Sequence, residues 1–128
     1  MSEQQSPAPG QIIWIDLTVP DAKNVRDFYS QMVGWQPEPV DMGGYNDFNM
    51  LMPDGSTPAA GICYARGENA DMPPQWLIYI TVENLAQSIE TCLSMGGSVV
   101  TPPKVQNQHD YCVVQDPAGA VVALVEVK

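Results

Sequence analysis

Three side chains carry most of the chemical potential of this sequence: Asp16, His109 and Cys112. Asp16 is a candidate general base if an apolar setting raises its pKa; a hydrogen-bonded structural carboxylate is the alternative. His109 is the only histidine and stands beside Asp110 in the polar run 104–110. It can act as a general acid or base, or it can simply be an exposed loop residue. Cys112 could be a nucleophile, but no second histidine is available to activate it, so a buried inert thiol is expected. Cys63, Cys92 and Cys112 are widely spaced and odd in number, which makes neither a metal motif nor a disulfide framework. The sequence contains no Ser/His/Asp grouping, phosphate-cradling glycine loop or calcium-loop spacing.

The elements that must position these groups occur twice. Thr18-Val19-Pro20-Asp21 is echoed by Thr81-Val82-Glu83-Asn84, Met32-Val33-Gly34 by Met95-Gly96-Gly97, and Pro53-Asp54-Gly55 by Pro117-Ala118-Gly119. A repeat filling the chain predicts two copies of one module, with a binding site at their junction. Residues 11–19 alternate: Ile13, Ile15, Leu17 and Val19 share one face, and Trp14, Asp16 and Thr18 the other. Asp21 is a helix N-cap signal, and Val25, Phe28, Tyr29 and Met32 have helical spacing over 22–33, closed by Gly34. The second copy repeats the plan. Leu77, Tyr79 and Thr81 share a face in a strand from 76 to 82. Asn84 caps a helix over 85–95 that turns Leu85, Ile89, Cys92 and Leu93 inward. Residues 99–100, 111–114 and 120–127 are strand candidates. The expected organisation is a flexible tail over 1–10 and a single domain over 11–128. Within it, module 1 covers about 11–64, a linker 65–75, and module 2 about 76–128.

Composition bounds the function. The chain has 128 residues, 45% hydrophobic and 16% charged, enough for one domain with a real core. Its net charge is −10, from 15 acidic and five basic residues. That is the reverse of a nucleic-acid footprint and unsuited to an anionic lipid surface. A cationic ligand is the electrostatically sensible one, with plain solubility as the alternative role of the charge. No apolar run is long enough to span a membrane, and Met1 to Gly10 does not read as a signal peptide. A cytoplasmic location is expected.

The segments WIDLTVPDAKNVRDFYSQMVGW at 14–35, WLIYITVENLAQSIETCLSMGG at 76–97 and DYCVVQDPAGAVVALVE at 110–126 resemble the vicinal-oxygen-chelate superfamily. This is the glyoxalase, bleomycin-resistance and dioxygenase group. The resemblance implies an α+β fold of two tandem βαβββ modules whose curled mixed sheet surrounds a cleft, commonly in a homodimer. It also implies a divalent metal in many members. The ligand positions fall here on Trp14, Leu77, Ala123 and the neighbourhood of Ala60-Gly61, none of which suits a metal, so no metal and no cofactor are expected.

The resulting expectation is a metal-independent protein that binds a small organic ligand. Its cleft is formed by Trp14, Asp16, Thr18, Tyr45, Phe48, Leu77, Tyr79, Val121 and Ala123, with Asp16 and His109 as catalytic candidates. An aromatic or cationic compound is the expected occupant, sequestered as in the bleomycin-resistance branch. A glyoxalase-like lyase or isomerase, or a dioxygenase-type enzyme acting on a small oxygenated substrate, is the alternative. A subunit or partner-binding role with a degenerate, solvent-closed cleft is the third.

Overall fold

A computed structural model describes residues 8–67, 70–105 and 109–127. The elements run β1 (Ile12–Val19), α1 (Ala22–Val33), β2 (Gln36–Asp41), β3 (Asn46–Leu51) and β4 (Pro58–Tyr64). They then repeat as β5 (Trp76–Thr81), α2 (Leu85–Ser94), β6 (Ser98–Val105), β7 (His109–Gln115) and β8 (Val121–Val127). The fold is α+β, built from two βαβββ modules. Two compact units divide the chain: a first over Ile15–Trp76, and a second over Met1–Trp14 with Leu77–Lys128. The division falls inside β1, so its head, Ile12–Trp14, belongs with the second module.

In the first unit the strand order is β2-β3-β4-β1. Strand β1 runs parallel to β4, with Asp16 opposite Gly61 and Thr18 opposite Cys63; β3 is antiparallel to both β2 and β4. Leu17, Val19, Phe48, Met50 and Ile62 point to one face and meet Ala22, Val25 and Tyr29 of α1. Met50 and Ile62 are fully buried; burial of a side chain this size contributes roughly 1.5–3 kcal/mol. Tyr29 and Trp35 stack at 5.7 Å between ring centroids. Trp76 meets both rings edge-on, and its indole N–H donates to the Tyr29 hydroxyl at 3.2 Å.

Helix α1 starts and stops as its sequence requires. The Asp21 carboxylate accepts from the Asn24 backbone N–H, and Gly34 closes the helix at φ 82°. That left-handed backbone suits glycine. The inward face is narrower than its spacing suggests, however: Phe28 and Met32 are exposed. The apolar stripe follows Ala22, Val25 and Tyr29, and Phe28 falls one residue outside it.

The second unit has the strand order β5-β8-β7-β6. Leu85, Ile89 and Cys92 of α2 pack on Val99, Cys112, Val114, Val122 and Leu124. Leu93 lies outside this core and is exposed. Asn84 caps α2 by accepting from the Gln87 N–H at 3.0 Å, and Glu126 of β8 accepts from the Leu85 N–H at 2.7 Å. Both bonds satisfy donors that every helix start leaves open. The tail expected at 1–10 is held from Ala8 onward. Gly10 donates to the Thr81 carbonyl at 2.7 Å, and the Thr81 hydroxyl bonds the Ala8 carbonyl at 2.5 Å. Residues 1–7 lie outside the described residues.

Two predictions follow from local geometry. A Cβ on Gly97 would stand 2.5 Å from Cys92 Sγ and 2.8 Å from the Gln115 carbonyl. Gly97→Ala is therefore expected to lower stability by about 1–3 kcal/mol in urea unfolding, through overpacking. In the β3–β4 turn, the Thr57 hydroxyl and the Ser56 and Thr57 N–H groups donate to Asp54 and hold its carboxyl at about 2. The folded form thus favours the carboxylate. Its contribution is complete above pH ~4, the unfolded value, and is lost as pH falls through 2. A side-chain NMR titration should place the Asp54 midpoint near 2.

Candidate functional site

The four strands of each module have one face packed against the module's helix and one turned away from it. On the first unit the turned-away face carries Asp16 and Thr18 of β1, Gly61 and Cys63 of β4, and Asp47 and Asn49 of β3. Asp16 is only 9% exposed. Asp47 accepts from the Tyr64 N–H at 2.9 Å, and Asn49 donates to Glu38 at 3.4 Å. Burial raises the Cys63 pKa far above the ordinary thiol value, and the negative charges of Asp16 and Asp47 raise it further. Cys63 is therefore a proton-holding thiol beside two carboxylates, not a nucleophile. The sequence gives no sign of Asp47 and Cys63 as neighbours of Asp16, because only strand pairing brings them together.

On the second unit the turned-away face is apolar and aromatic. Tyr79 pairs with Ala123, and Ala123 with Val113; Thr81 pairs with Val125, and Val125 with Tyr111. Leu77 is 3% exposed and Ala123 fully buried. Val121 is half-buried opposite Gln115, and Trp14 is half-buried in the head of β1. Thr81 is committed to anchoring residues 8–11. His109 opens β7 opposite Val127 and is half-buried, instead of lying in a loop. Cys112 sits in the α2 core, where burial pushes its thiol up to about 11. The two catalytic candidates lie in different units: Asp16 in the first, His109 in the second.

Tyr45 and Phe48 stand elsewhere than expected. Phe48 pairs with Ile62 and faces α1, whereas Asn49, its neighbour, pairs with Gly61 and faces away with Asp16. One step along a strand reverses the side, so Phe48 cannot share a wall with Asp16. Tyr45 meets Tyr64 edge-on at 6.0 Å on that same helix side. Together with Lys23, Arg26 and Arg66 these rings line an open cavity of about 360 Å³. Sequence reasoning missed the three cations; their scarcity in so acidic a chain was the available signal.

The metal implied by the resemblance does not fit the residues present. Trp14, Leu77 and Ala123 offer no metal donor, and Leu77 and Ala123 are sealed in apolar surroundings. Gly61 contributes no side chain opposite Asp16. Among the described residues, no three His, Cys, Asp or Glu side chains gather as ligands.

Two modules of this architecture define a class, and sequence comparison agrees with it. The glyoxalase-like domain profile matches residues 13–125. The chain belongs to the glyoxalase-like domain family, within the vicinal-oxygen-chelate superfamily. It is 30% identical over 114 residues to CFP32 of Mycobacterium tuberculosis, a glyoxylase by provisional name, covering 87% of this chain and 43% of that protein. It is 27% identical over 120 residues to the anthracycline biosynthesis protein DnrV of Streptomyces peucetius, covering 94% of this chain and 42% of that one. The chain thus spans less than half the length of these relatives. Among solved structures, methylmalonyl-CoA epimerase from M. tuberculosis aligns with a TM-score of 0.55 at 14% identity, covering 98% of this chain and 94% of the epimerase. The protein BH1468 of Bacillus halodurans aligns with a TM-score of 0.58 at 14% identity, covering 94% and 96%. At this identity the structures speak for the fold alone.

The Cys63 environment is testable. Replacing Asp16 by Asn removes a negative charge that disfavours the thiolate. Asp16→Asn is expected to speed alkylation of Cys63 by iodoacetamide at pH 9, read by mass spectrometry of the labelled peptide. An unchanged rate would mean that Asp16 exerts no field on the thiol.

Proposed function

We propose that the protein is a metal-independent binder of a small organic molecule, taken up on strand faces turned away from the helices. The observation that carries this reading is the chemistry of the family's ligand positions: an indole, two sealed apolar side chains and a glycine. Asp16, on the turned-away face of the first unit, is a nearly buried carboxylate. An aromatic cation would complement the acidic face that Asp16 and Asp47 form on the first unit. The likeness to an anthracycline biosynthesis protein supports an aromatic ligand. Like many members of its superfamily, the protein is expected to act as a homodimer.

An enzyme is the second reading, favoured by the glyoxylase name of one relative and by two carboxylates, Asp16 and Asp47, acting on one thiol. In that case Asp16 would serve as the base of a metal-free isomerase or lyase on a small oxygenated substrate.

The deciding experiment exposes the pure protein to zinc, nickel, manganese and ferrous iron, dialyses it, and measures bound metal. Substoichiometric metal is expected; a full equivalent would overturn the reading. A thermal-shift screen of cationic aromatic compounds follows, with Asp16→Asn as control. Loss of the charged partner should weaken a hit by about 10-fold or more. Undiminished binding by Asp16→Asn would exclude Asp16 as the recognition group. Turnover that Asp16→Ala abolishes while binding persists would establish the enzyme.

A further inference from the structure

We infer a second binding site of opposite sign, in the cavity on the α1 side of the first unit, for a compact dianion of the phosphate-ester or dicarboxylate type. It is independent of the ligand proposed above, since it lies on the other face of the first unit's sheet.

Positive charge is scarce in this protein. The chain has five basic residues against 15 acidic ones. Three of the five, Lys23, Arg26 and Arg66, line this one cavity. They come from separate elements: two from the first turns of α1 and one from just beyond β4. Like charges brought together repel, and an acidic protein offers many carboxylates that could have separated them. Instead, among the described residues, the one ion pair at the cavity is local. Arg26 bonds the adjacent Asp27 through Nε at 2.9 Å and Nη2 at 2.8 Å. Among the described residues, Lys23 and Arg66 make no ion pair. With Arg26 neutralised by Asp27, about two positive charges remain at the cavity, from Lys23 and Arg66, which favours a dianion over a monoanion.

The aromatic rings organise these charges. The Arg66 guanidinium lies over Tyr45 at 3.9 Å, and that of Arg26 over Phe48 at 4.7 Å. Stacking occupies the flat face of a guanidinium and leaves its N–H edges available. Arg66 therefore presents a held fork, the geometry that pairs with two oxygens of a phosphate or carboxylate. Lys23 adds a movable point charge, and Asn46 an amide. Phe48 and Tyr64 give the floor an apolar part. A volume of about 360 Å³ lies at the small end of ligand sites, enough for an anionic head and a short organic body. The Asp21 carboxylate already takes the Asn24 N–H at the start of α1, so the cationic side chains, and not the helix end, must provide the recognition.

The test titrates the full chain with inorganic phosphate, phenyl phosphate and phthalate by ¹H–¹⁵N NMR and calorimetry. Saturable binding is expected, with shifts confined to residues 23–26, 45–48 and 64–66. Tighter binding of phenyl phosphate than phthalate would identify a phosphate ester; the reverse order would identify a dicarboxylate. Arg66→Gln is expected to weaken binding about 10-fold, and Arg66→Lys by nearly as much, because lysine lacks the fork. Lys23→Gln should cost about 3-fold, and raising the salt from 50 to 200 mM should weaken all ligands. Lys23 and Arg66 are exposed, so both Gln variants should keep the parent melting temperature. Three results would overturn the site: no saturable binding, shifts centred elsewhere, or a Lys23→Gln/Arg66→Gln double variant that binds as the parent does.

Discussion

The structure depends on one constraint: the four strands of each module give the central part of one face to a single helix. That face must be apolar, because a buried polar group without a partner costs more than any hydrogen bond contributes. Leu17, Val19, Met50 and Ile62 meet this demand under α1, and Cys112, Val114 and Leu124 meet it under α2. Alternation then leaves the intervening residues to the other face. Asp16 and Thr18 face away from α1 because Leu17 and Val19 face toward it. The chemistry available on the turned-away faces is therefore the complement of the core, fixed by the period of the strand.

Charge is distributed by the same geometry. The turned-away face of the first unit gathers carboxylates: Asp16, Asp47 and, through Asn49, Glu38. Burial first, and then the charges of Asp16 and Asp47, suppress the Cys63 thiolate, so a residue that could be reactive is kept protonated. The other side of that sheet ends in an aromatic and cationic edge, where Arg26 and Arg66 lie on rings that belong partly to the core. Phe48 takes part in both: it is 6% exposed, packed against α1, and forms the surface on which Arg26 rests. Within one unit, an acidic face and a basic edge stand back to back. A net charge of −10 conceals this arrangement.

Much of the fold was readable along the chain. The cap residues Asp21 and Asn84 and the stop at Gly34 fixed the helices, and two alternating strands preceded them. The inward face of each helix was less legible. Phe28 and Leu93 have suitable spacing but fall outside the strip that the strands cover, since a helix packed on one sheet face buries a narrower stripe than one inside a bundle. The segment 35–64 was least legible. Its prolines and glycines announce breaks but not register, and register decides whether Phe48 or Asn49 lies beside Asp16.

The sequence by itself determined the repeat, the α+β class, the family and the absence of donor atoms at the family's ligand positions. All of these depend on residue identity and local spacing, which are properties of a chain in one dimension. Only the tertiary structure decided which residues became neighbours: Asp47 and Cys63 beside Asp16, and Arg66 with Lys23 and Arg26. Strand pairing across long separations brings those groups together. Its register is set by the fit of whole apolar faces to a helix, and no single residue in the sequence records that fit.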